Sequence, residues 1–79
     1  MWHKMAGYPR VGARVKVTGF WGKKGINVVG KVQPSRKNPR EAAFRTRSGA
    51  VMATLITDQG KRVSIPWSTG VVEFWYWRE

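Results

Sequence analysis

Apolar residues in this chain come in short, β-branched, alternating runs broken by Gly or Pro. In residues 13–18, Val15 and Val17 alternate with Arg14, Lys16 and Thr18, the period-two pattern of a strand with one buried and one wet face. Residues 28–33 predict a second strand, with Val28, Gly30 and Val32 on one face and Val29, Lys31 and Gln33 on the other, ended by Pro34. Alternation resumes in residues 43–47, placing Phe44 and Thr46 inward and Arg45 and Arg47 outward, and Ser48-Gly49 turns into residues 51–57, a strand buried on both faces. Asp58-Gln59-Gly60 is a hairpin signal leading to residues 62–67, where Val63 and Ile65 alternate with Arg62 and Ser64 before Pro66 interrupts pairing. A last strand, residues 71–78, puts Val72, Phe74 and Tyr76 on one face and Glu73, Trp75 and Trp77 on the other. Residues 19–25 and 35–40 have the composition of loops.

No segment of helical length keeps an i, i+3, i+4, i+7 stripe, so the class is all-β. Five or six short antiparallel strands in 79 residues fit a small closed or half-open barrel, SH3-like in the first instance and OB-type as the alternative. Closure would also remove exposed strand edges. The expected organisation is one domain, residues 1–79, with residues 1–10 as a flexible N-terminal arm. Without cysteine there is no disulfide or thiolate metal site, and the core must come from burial, supplied by five Trp, three Phe and two Tyr. No apolar run reads as a signal peptide or membrane span, so the expected location is cytoplasmic, with nucleoid or ribosome association open and no membrane partner.

Charge changes the picture most. Fifteen Lys and Arg against four Asp and Glu leave a formal charge of +11, more than solubility requires. Twelve of those cations, and only Glu41 among the acids, fall in residues 1–47. Self-repulsion on this scale costs stability, which makes a polyanionic partner the natural reason for it.

Gly12-Ala13-Arg14-Val15-Lys16-Val17-Thr18-Gly19, followed by Lys24-Gly25 and Gly30-Lys31-Val32, resembles the KOW motif of small SH3-like nucleic-acid-binding barrels, over about a quarter of the chain. The resemblance implies a strand, a Gly-rich turn and a second strand opening the barrel, and a partner that is RNA or a protein working on nucleic acid. By size, charge and class the chain is also similar to the small chromatin barrels that coat duplex DNA.

Binding a phosphate backbone needs cations spread over a surface, because each neutralised phosphate releases a counterion. Arg14, Lys16, Lys31, Arg45, Arg47 and Arg62 fall on outward strand positions with no acid expected among them, and Arg36, Lys37 and Arg40 sit on one loop. Lys23 and Lys24 flank Trp21, a ring-and-cation combination suited to stacking or wedging at a base step; a Trp capping the core competes equally. Trp75 and Trp77 need cover, from the core first, or from a homodimer interface or a stacked base. Basic strand faces without rings favour duplex DNA over single strands, and duplex DNA is preferred over RNA. The alternative is a protein-interaction barrel, a small regulator whose charge steers an acidic protein partner to an aromatic surface. Catalysis is not expected: the single histidine is His3, cysteine is absent and the four acids are scattered, so no catalytic residue, metal site or cofactor is assigned.

Overall fold

A computed structural model describes all 79 residues. They form seven antiparallel strands: β1 (Trp2–Lys4), β2 (Arg14–Trp21), β3 (Lys24–Val32), β4 (Phe44–Arg45), β5 (Val51–Thr57), β6 (Arg62–Pro66) and β7 (Val72–Trp77). The fold is all-β. Its single sheet runs β1-β7-β2-β3-β5-β4, with β6 on the other edge of β5. The period-two valines of β2 explain its central position. Val17 lies opposite Val28 of β3 and Phe74 of β7, so three strands turn apolar side chains to the same side.

That side is the core, built from Val15, Val17, Val32, Leu55, Ile65, Trp67, Val72 and Phe74 with Ala42 and Ala53. Leu55 and Val17 are completely buried. Each such aliphatic side chain contributes roughly 1.5–3 kcal/mol by leaving water. Tyr8, Trp67 and Phe74 pack ring on ring across the mouth of the curved sheet, with Trp67 and Phe74 centroids 4.8 Å apart and Tyr8 5.8 Å from Trp67.

Of the closed and half-open forms expected, the sheet takes the open one: it curves into a barrel-like shape but does not close, since no ladder joins β6 or β4 to β1. The edges are instead blunted by the three-residue length of β1 and by Pro66 and Arg62 on β6. Residues 1–10, an arm by sequence, lie along the sheet: Trp2, His3 and Lys4 pair with Trp77, Tyr76 and Trp75. Residues 19–25, expected to be a loop, belong to a long β2–β3 hairpin in which Trp21 faces Lys24 across a two-residue turn. Gly22 opens that turn with φ 64°, the conformation a tight hairpin asks of its first central residue.

Gly30 has a different reason to be glycine. A Cβ there would lie 2.5 Å from the carbonyl oxygen of Ile56, so only glycine lets β3 pass from β2 to β5 at this separation.

The segment between β3 and β4 is an excursion from one line of pairing. Val32 pairs with Leu55 and Phe44 with Met52, so twelve steps along one strand match three along its partner, a surplus of nine residues. The ladder continues to the brink of the excursion, where the Gln33 N–H donates to Thr54 C=O. Its neck is clasped by the Ser35 N–H donating to Glu41 C=O at 2.8 Å.

Candidate nucleic-acid interface

Alternation sends the odd members of β2 into the core and the even ones to the convex face of the sheet. Register then decides which side chains meet there. Lys16 lies opposite Trp75 of β7 and Val29 of β3, and Trp75 lies opposite Lys4 of β1. In the next row Arg14 pairs with Lys31, Lys31 with Ile56 and Ile56 with Arg62. Trp77 and Trp2 continue this row on the other side, their rings edge to face at 5.4 Å, with the Arg14 guanidinium 5.6 Å from the Trp2 centroid. The convex face therefore interleaves rings with cations.

Trp75 and Trp77 are thus outside the core, which corrects the expectation of core cover. Phe74 takes the inward position instead. Trp75 is half-buried and fixed by its indole N–H donating to Thr18 Oγ1 at 2.8 Å, whereas Trp77 is 53% exposed.

Two acids also occupy this face, contrary to the sequence reading. The β5–β6 turn folds Asp58 onto Arg14 in a two-pronged contact, Nη2 to Oδ2 at 2.6 Å and Nε to Oδ1 at 3.2 Å. The guanidinium holds the Asp58 carboxyl below its usual range, chiefly through this hydrogen bond, and the carboxylate raises Arg14 in return. Glu73 pairs with Lys4 at 3.3 Å. Lys16, Lys31 and Arg62 have no ion-pair partner, since these two pairs are the only ones in the chain.

The remaining expected site residues separate into three places. Arg36 and Lys37 come from the excursion to share a concavity with Arg62, and Arg40 lies farther along the same loop. Arg45 does not join the convex row: it pairs with Val51, which alternates with Ala53 and Leu55 on the core side of β5. Its guanidinium instead contacts Gly49 C=O of its own hairpin, at whose tip Arg47 sits. Lys23 and Lys24 mark the end of the β2–β3 hairpin with Trp21, which is half exposed and does not cap the core. Trp21 forms one wall of an open groove of about 580 Å³ with Tyr8, Val51, Trp67 and Val71.

In comparisons with protein-family models, curated proteins and solved structures, nothing matches this chain. The site must be read from its own geometry. Sequence reasoning missed Trp2 and Lys4, because a three-residue strand carries no periodicity, and Asp58, whose turn residues signal a hairpin but not what it folds onto. No three His, Cys, Asp or Glu side chains gather as a metal site would require, and no helix is long and apolar enough to cross a membrane.

Proposed function

We propose that this chain is a non-enzymatic nucleic-acid-binding protein that grips the phosphate backbone with its convex face and discriminates little among sequences. The supporting observation is the set of cations without ion-pair partners, Lys16, Lys31 and Arg62, that shares two adjacent rows of one surface with Trp75 and Trp77. Cations supply sequence-independent affinity through counterion release, and rings add stacking that any base satisfies. The premise that favoured duplex DNA, basic faces without rings, does not hold for this surface. Interleaved rings and cations suit a single strand of DNA or RNA, laid across β7, β2 and β3. The KOW-like segment falls on the β2–β3 hairpin, within this surface, and its resemblance implies the same class of partner. Such an activity fits a place in the cytoplasm beside the nucleoid or the ribosome.

The test is a fluorescence-anisotropy titration with single-stranded and duplex oligonucleotides across a salt series. Affinity is expected to fall steeply with salt, with single strands bound more tightly than duplex and a slope of about 0.7 per phosphate engaged. No binding of either at low salt would overturn the reading.

One observation favours a second reading, a protein-interaction barrel that binds an acidic partner. The groove between Tyr8 and Trp21, backed by the buried Trp67, lies on the concave side, apart from the convex cations, and offers two exposed rings to a chain that the positive field would steer. Capture of an acidic peptide that is lost on Trp21→Ala but kept in Lys16→Ala with Lys31→Ala would support it.

A further inference from the structure

The excursion between β3 and β4 does more than display charge. It arches beside the convex side of β5 and β6, and between them lies a concavity of about 330 Å³. Volumes of roughly 300 Å³ and above are typical of small-ligand sites. Its cations come from distant parts of the chain: Arg36 and Lys37 from the excursion, Arg62 from the start of β6. Ser35 and Thr54 add hydroxyls, and Phe44 forms an apolar side. No acidic side chain lines it, although Glu41 belongs to the same loop, and neither ion pair of the chain uses any of its three cations.

Like charges drawn together without a counterion repel one another, so an anion that enters between these exposed cations relieves the repulsion. The lining also suits a particular anion. Two guanidinium forks, an ammonium and two hydroxyls are donors for several oxygens on one centre, which a phosphate presents and a carboxylate does not. The ring of Phe44 gives the carbon skeleton attached to that phosphate something to lie against. Position is kept by Ser35, which is buried, whose N–H holds the loop neck closed and whose Oγ accepts from the Lys37 N–H at 3.4 Å.

The geometry points to a phosphate seat in this concavity, formed by Arg36, Lys37 and Arg62 with the hydroxyls of Ser35 and Thr54. Resting on the proposed function, the seat holds one phosphate of the bound strand beyond the β2–β3 cations and fixes where the strand lies. The same chemistry would take a free or terminal phosphate.

Two measurements on the full chain separate these cases. Inorganic pyrophosphate is titrated while amide chemical shifts are followed, and an unphosphorylated single-stranded oligonucleotide, which offers only diesters, is titrated in parallel. Saturable shifts at Ser35, Arg36, Lys37 and Thr54 are expected with pyrophosphate. The triple variant Arg36→Ala, Lys37→Ala, Arg62→Ala is expected to bind the oligonucleotide about ten-fold or more weakly, with a lower salt slope. Lys16→Ala with Lys31→Ala should weaken the oligonucleotide but leave the pyrophosphate shifts in place. Unmoved amides at saturating pyrophosphate would overturn the seat and leave the convex face standing, as would wild-type oligonucleotide affinity in a folded triple variant. A wild-type chain that ignores oligonucleotides yet shows the pyrophosphate shifts would sink the nucleic-acid reading and keep the seat, for a free phosphate. Because the shift measurement uses the unaltered protein, it decides even if the triple variant does not fold.

Discussion

At the scale of single residues, Asp58 is the side chain with the most to say about the interface. It is the acid that occupies Arg14, so Asp58→Asn should release a cation into the convex row without disturbing the ladder. Nucleic-acid affinity is expected to rise a few-fold, with a steeper salt slope, while thermal stability changes little, because exposed ion pairs contribute little. The pH dependence has a definite sign. Its hydrogen bond from Arg14 lowers the carboxyl in the folded chain below the ordinary value of 3.8. The pair's contribution is therefore complete above that value and is lost as pH falls through the lower folded-state value. The affinity difference between wild type and Asp58→Asn should hold from about pH 5 to about pH 9 and close only in strong acid. A difference that vanished near neutral pH would show that Asp58 does not restrain Arg14. Trp75 illustrates the complementary case of a ring held by a hydrogen bond to Thr18, beside an exposed neighbour, Trp77, whose ring rests edge to face on Trp2.

At the scale of elements, the sheet depends on two glycines whose partners are remote in sequence. Gly30→Ala would push a Cβ against the backbone of Ile56 and Thr57, so β3 and β5 must separate or distort. A loss of about 1–3 kcal/mol is expected in a denaturant melt, while Gly7→Ala, with no atom within 4 Å of the new carbon, serves as the near-neutral control. Gly19, whose Cβ would meet Val71 C=O at 2.5 Å, should behave like Gly30. These glycines also mark where sequence reading stops. β5, β6 and β7 were legible to within about a residue or two, because apolar, β-branched and aromatic runs bounded by turn residues fix where each strand begins and ends. The β2–β3 hairpin was not, because Gly19, Gly22 and Gly25 read as breakers until β7 is in place to require the first. Arg45 is exposed, as its outward position predicts, but its grouping with the other strand cations was beyond reach for a similar reason. β4 has two residues, too few for alternation to define a face, and its side is set by pairing with Val51. The candidate site was legible as residue types, and its grouping was not, since register between strands decides whether Lys16 meets Trp75 or Arg36 meets Arg62.

At the scale of the whole molecule, a charge of +11 on 79 residues makes the folded state sensitive to ionic strength. Screening at about 0.15 M salt shortens the range of these repulsions to about 8 Å, so the melting temperature of the free protein should rise from low salt toward that concentration. Nucleic-acid binding should weaken over the same range, so the two salt responses have opposite signs. A melting temperature that fell with salt would mean that attractive pairs such as Arg14 with Asp58 outweigh the surplus. The open sheet bears on the proposed partner as well: concave rings and convex cations look in different directions, so a strand held as proposed would leave the groove free. The excursion between β3 and β4 has a consequence for how such a protein can change. Because its surplus over continuous pairing is nine residues, joining Gln33 directly to Ala43 would restore one unbroken strand in the existing register against β5. The segment is in effect a cassette spliced into a strand. Its length and charge can change, or be exchanged for another, while the ladder on either side stays in step.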